Sequence, residues 1–198
     1  MLAKLPFKIY LTTNPDSLLA RALEEADKRP HVALCPWNDE IEQSQSTYEA
    51  EPTKKEPLVY HLFGQMRQPY SLVLTEDDHF NYLIGATTNK DLIPEVVRRA
   101  QKDRLLLFLG FRLDDWNFRV LFHSVMRLSE GGRPSRYGHV AVQLVPEEGR
   151  ISEPEGARRY LESYFGREAI NIYWGSAEDF VRDLRSRWNG EYGREIPI

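Results

Sequence analysis

The run Leu105–Leu109 (LLLFL) constrains what this chain can fold into more than any other feature. A strand with one wet face alternates apolar and polar residues. An uninterrupted apolar run reads instead as a central parallel strand covered by helices on both faces. The flanking segments alternate in kind. Lys8–Thr13 (KIYLTT) is short, β-branched and aromatic, and stops at Asn14-Pro15, while Leu18, Leu19, Ala22, Leu23 and Ala26 follow at helical spacing. His31–Leu34 reads as a brief strand, and Leu58–Phe63 as a strand closed by Gly64, with order resuming at Ser71–Leu74. Thr75 and Asp78 form a capping-box pattern ahead of a helix, and Asp91–Gln101 is a second amphipathic helix with Pro94 in its first turn. A helix over Asp114–Leu128, a strand at 139–145, a helix at 155–165, a strand at Ile170–Trp174 and a helix opened by Ser176 and Asp179 complete the series.

Strands alternating with helices of this length imply right-handed crossovers and a parallel sheet. The expected fold class is therefore α/β: a Rossmann-like, doubly wound, mostly parallel sheet with helices on both faces. A single domain over 1–198 is expected, with a polar surface loop or insertion at about 36–57 and a loop at about 129–138.

Charge and cysteine content narrow the function classes. Twenty-six basic and 30 acidic residues are interleaved, giving a net charge of −4, so no basic surface for direct nucleic-acid binding is expected. Cys35 is the one cysteine and cannot form an internal disulfide. No run reaches the roughly 18 apolar residues of a membrane span, and the N-terminus lacks a signal peptide's apolar core; a cytoplasmic protein is the expectation. The histidines (31, 61, 79, 123 and 139) are dispersed and no HExxH or CxxC occurs, so no metal is expected. Neither a G-x-S-x-G elbow nor a Walker-type loop is present, which moves serine hydrolases and nucleoside triphosphatases out of the front rank.

In open parallel sheets, ligands bind outside the carboxyl ends of the strands. Three such ends carry polar or glycine-rich sequence. In Thr12-Thr13-Asn14-Pro15-Asp16, Asn14 reads either as a helix N-cap followed by proline or as a ligand contact beside free N–H groups, with Asp16 near it. In Tyr60-His61-Leu62-Phe63-Gly64, His61 reads either as a partly buried strand histidine or as a general base, and strand alternation puts it on the same face as Phe63. In the third, Gly110 permits close approach of a ligand, Arg112 is a candidate anion contact, and Asp114 and Asp115 suit either a helix N-terminus or a polar ligand.

Taken in order, these ends resemble the sirtuin (silent information regulator) family. TTNPD is similar to its T-[QT]-N-x-D element, YHLFG stands at its histidine–glycine motif, and LLFLGFRLDDWNFRVLF resembles the strand and helix that complete its NAD pocket. SLVLTEDDHFNYL also resembles the divergent bacterial branch of NAD-hydrolysing domains found in phage-defence proteins. The resemblance covers roughly residues 7–128. It implies NAD as substrate or ligand without a metal, with Asn14 and Asp16 beside the nicotinamide ribose; His61, two residues before the family's histidine position, is the candidate that joins Asn14 as the catalytic pair. Thr13, Asn14, Asp16, Gly110, Arg112 and Asp114 would then contact the dinucleotide.

Two departures from the family pattern accompany this. Phe63 stands where the family has its histidine, directly before the glycine. The family's opening strand–turn–helix with its G-A-G phosphate cradle is expected to be lacking, so a homo-oligomer or a partner subunit would supply the missing edge. The alternatives are a catalytically inert interaction module, a fragment of a larger defence protein, or an unrelated α/β nucleotide-binding protein whose TTNPD is only a capped helix.

Overall fold

The computed structural model describes residues 1–44, 48–88, 92–111, 138–145, 153–166 and 170–192. The fold is α/β with parallel strands, in two units divided between Arg98 and Arg99.

The first unit contains β1 (Ile9–Thr12), α1 (Leu18–Glu24), β2 (His31–Leu34), α2 (Asp39–Ser44), β3 (Leu58–His61), α3 (Glu76–Thr88) and the start of α4 (Glu95–Asp103). Its strands lie in the order β1-β3-β2, all parallel. All four residues of β3 are buried, as a middle strand requires. On one face Tyr10 and Val59 pack with Ala3 and Leu23, so α1 covers that side. The opposite side of β3 holds Tyr60, whose hydroxyl donates to the Leu92 carbonyl. Cys35 is fully buried there and its thiol donates to the same Leu92 carbonyl at 3.5 Å; burial pushes its pKa up to about 12, which makes it inert rather than nucleophilic.

The second unit contains β4 (Leu107–Phe108), β5 (His139–Gln143), α5 (Pro154–Gly166), β6 (Ile170–Trp174) and α6 (Ala177–Tyr192), with parallel order β4-β5-β6. Its core joins Ala141, Leu161, Phe165 and Ile170, with Phe108, Ile172 and Trp174 against it. The Ser176 hydroxyl accepts the Asp179 N–H at 3.0 Å and donates to its carboxylate at 2.7 Å, the cap that the sequence predicts for α6.

Three local expectations change. Leu105–Leu109 forms only the two-residue β4, which pairs with β5 alone among the described residues, and Leu105 is exposed; the middle strand of that sheet is β5. An apolar run reports how readily a segment is buried, not how many neighbours its backbone finds. Segment 36–57 is not all loop: it holds α2, anchored by the fully buried Ile41. Ser71–Leu74 is no strand but follows a 3₁₀ turn over Pro69–Ser71. The expected helix Asp114–Leu128 lies outside the described residues. Among those described, no helix is long and apolar enough to cross a membrane.

Candidate functional site

Register places the first unit's strand ends side by side. His61 is level with Thr12 on one flank and Leu34 on the other, so the segments after β1, β2 and β3 all leave from one carboxyl rim. Two of the three sequence-predicted motifs, TTNPD and YHLFG, meet there.

The helix after TTNPD begins later than the sequence suggests. Ser17 occupies the N-cap position of α1 without a side-chain bond, and the Asp16 carboxylate accepts the Leu18 N–H at 2.8 Å. Capping therefore belongs to Asp16 and not to Asn14, which corrects the cap reading of Asn14. Three residues after β1 that belong to neither strand nor helix let the chain turn before it coils, and aspartate two residues before an N–H closes an Asx turn. The Asn14 backbone N–H donates to the Thr12 hydroxyl at 3.1 Å, while its exposed side-chain amide takes no partner from the described residues. Thr13 and Asp16 are half-buried beside it. Asp16→Ala is expected to cost about 1 kcal/mol, the usual value of a lost N-terminal cap, whereas Asn14→Ala should leave the melting temperature unchanged. Thermal melts of the two variants check both statements.

His61 is 1% exposed, and its Nδ1–H donates to the Asn14 carbonyl at 3.0 Å. A carbonyl only accepts, which fixes the tautomer and leaves Nε2 as a buried lone pair with no partner. Burial lowers the pKa of His61; the Asn14 carbonyl, the Asp16 charge and the Gly64 backbone partly offset that. His139, also 1% exposed, is lowered by burial, and it carries the opposite tautomer because its Nδ1 accepts the Leu106 N–H at 3.1 Å.

Both histidines therefore fold neutral. The unfolded chain takes up their protons near the ordinary value of 6.5, while the folded chain resists until lower pH. Stability is full above about pH 7 and falls as the pH drops through 6.5 towards the lowered folded values. Melting temperatures measured from pH 8 to pH 5 should decline, and less steeply in His139→Leu.

Beyond His61 the chain leaves the strand. Alternation no longer applies, and the expected common face of His61 and Phe63 gives way to separate partners. Phe63 meets His79 and Tyr82 of α3 edge-on, with ring centroids 5.4 and 5.1 Å away. Gly64 then adopts a positive φ of 81° and folds the loop back. Buried Ser71 ties that loop: its hydroxyl accepts the Gln65 N–H at 3.0 Å and donates to the Gln68 carbonyl at 2.6 Å, and its carbonyl receives the Trp37 indole N–H at 2.8 Å. The Met66 N–H donates to the Pro15 carbonyl at 2.8 Å, joining the glycine loop to the Asn14 loop. Sequence reasoning missed Ser71, and no local pattern flags it, since its partners lie up to 34 residues away.

The capping box at α3 forms as its sequence predicts. The Asp78 N–H donates to the Thr75 hydroxyl at 3.1 Å, and the Asp78 carboxylate accepts the Thr75 and Leu74 N–H groups, which hold it below the usual carboxylate range. Gly110, in the second unit, has a φ of +75° and open space where a Cβ would stand. Arg112 and Asp114 lie outside the described residues. Among those described, no three His, Cys, Asp or Glu side chains group as metal ligands do.

The SIR2-like domain family matches residues 8–168, a span that contains every candidate residue above. The chain belongs to the SIR2-like family. This SIR2-like chain is also similar to the NAD(+) hydrolase ThsA of Bacillus cereus (strain MSX-D12), 29% identical over 161 residues that make up 81% of this chain and 30% of that protein. The NAD(+) hydrolase ThsA of Enterococcus faecium is 29% identical over 135 residues, 68% of this chain and 26% of that one. A third ThsA, from Cytobacillus dafuensis, is 27% identical over 139 residues. The SIR2-like chain thus spans less than a third of the length of these curated relatives.

Proposed function

We propose that this chain binds NAD at the carboxyl rim of the β1-β3-β2 sheet and hydrolyses it to nicotinamide and ADP-ribose, within a bacterial phage-defence or signalling system. The observation that carries this reading is Asn14. Its backbone is clamped from both sides, by the Thr12 hydroxyl and by His61, yet its amide is left exposed and unused. A side chain carried on a backbone held this firmly, with no part in the packing of the loop, is suited to orienting a ribose hydroxyl or a water.

Loss of nicotinamide leaves positive charge on the ribose. Asp16 commits one carboxylate oxygen to Leu18 and keeps the other for that charge. His61 acts through Asn14, whose carbonyl takes its Nδ1–H. The kinship with proteins named NAD(+) hydrolase supports the choice of substrate.

Incubation of the purified chain with NAD, with release of nicotinamide followed by chromatography, tests the proposal. Asn14→Ala should lower turnover by about 100-fold or more without moving the melting temperature. Wild-type turnover in that variant sinks the role given to Asn14. A second reading, an inert SIR2-like interaction module, is favoured by Phe63 at the family's histidine position and predicts no nicotinamide release.

A further inference from the structure

We propose that His79, on α3, is the proton acceptor of this site, replacing the histidine whose place Phe63 occupies. The inference rests on the reading of the chain as an NAD hydrolase. His61 is poorly placed to take a proton from water, because both of its ring nitrogens are enclosed. One is committed to the Asn14 carbonyl, and the other sees neither solvent nor partner. His79 differs on each count. It is partly exposed, and its Nδ1–H donates to the Thr75 carbonyl at 2.9 Å, so Nε2 is the ring nitrogen without a partner among the described residues. Its ring stands 5.4 Å from that of Phe63 at 70°, so an imidazole lies against the residue where the family pattern places its base.

The orientation is built in by the helix start. Thr75 and Asp78 close the capping box, and the first turn then presents the Thr75 carbonyl to the side chain four residues on. Tyr82 buttresses Phe63 from the same helix at 5.1 Å. Asp78 is the charged neighbour, and its carboxylate is occupied by the Leu74 and Thr75 N–H groups. In the reaction the bond between ribose C1′ and the nicotinamide nitrogen breaks, and nicotinamide leaves with the electron pair. Water oxygen bonds to C1′, and one water proton passes to Nε2 of His79 and then to solvent.

The test uses the full chain in three forms: wild type, His79→Asn and His79→Gln. Asparagine keeps a donor for the Thr75 carbonyl but removes Nε2, and glutamine guards against a folding defect in the first variant. Nicotinamide release gives kcat across pH 5–9, and calorimetry gives NAD affinity. Both variants should lose on the order of 10²–10³ in kcat, with NAD affinity within about threefold of wild type. Unchanged kcat in a folded variant overturns the role of His79 and leaves the hydrolase reading intact. A wild type that binds NAD without cleaving it, or does not bind it, overturns both.

Discussion

Gly64→Ala is expected to destabilise the first unit by about 2–6 kcal/mol, more than any surface change. Two costs add. A φ of +81° lies in the left-handed region, where a non-glycine residue carries about 1–3 kcal/mol of strain. The new methyl would also overlap the Ser71 carbonyl oxygen and stand 2.7 Å from the Leu72 nitrogen. Those atoms are backbone, so no rotamer change relieves the overlap, and overpacking of this kind costs a further ~1–3 kcal/mol. The Ser71 carbonyl also holds the Trp37 indole, and the loop Gly64 opens donates to Pro15, so the displacement reaches both α2 and the Asn14 loop. Thermal and urea denaturation should show a drop of about 4 °C or more, or no folded protein. A variant melting within 2 °C of wild type, allowing for the ~2–4 °C that each kcal/mol is worth, contradicts the loop geometry.

Phe165→Ala should cost about 3–5 kcal/mol in the second unit. The ring is 0% exposed and joins Ala141 of β5, Leu161 of α5 and Ile170 of β6, so its loss opens a cavity against both layers. Trp174 packs against the same cluster, and its indole N–H donates to Glu162 at 2.7 Å. A lowered denaturation midpoint with red-shifted tryptophan emission is the expected outcome; an unaltered midpoint would mean the cluster is not the core of that unit.

Site and fold differ in how far they can be read from the sequence. TTNPD and YHLFG are legible as strand ends because a strand's stop is written locally, in Asn-Pro and in glycine. Their meeting at one rim follows once the strands are parallel. The role of each side chain is another matter. Asn14 and Asp16 both suit a helix start, and which of them caps is decided by where α1 begins, at Leu18. His61 reads as a titrating group, yet it is the depth of β3 between β1 and β2 that makes it neutral and enclosed. Ile41 is hidden for a similar reason: averaged over 36–57 the composition is polar, and one aliphatic anchor beside Trp37 and Asn38 suffices to seat α2.

The sequence by itself determined the alternation of strands and helices, the parallel character of the sheets, and the caps Thr75–Asp78 and Ser176–Asp179. These are encoded within a few residues, where hydrophobic periodicity and hydrogen-bonding side chains act on their own backbone. Only the tertiary structure decided that β3 and β5 are the middle strands, that His61 holds Asn14 across 47 residues, and that Phe63 turns to α3. Lateral pairing and side-chain contact depend on residues remote along the chain, and no local pattern fixes which of several compatible neighbours a strand or a ring will find.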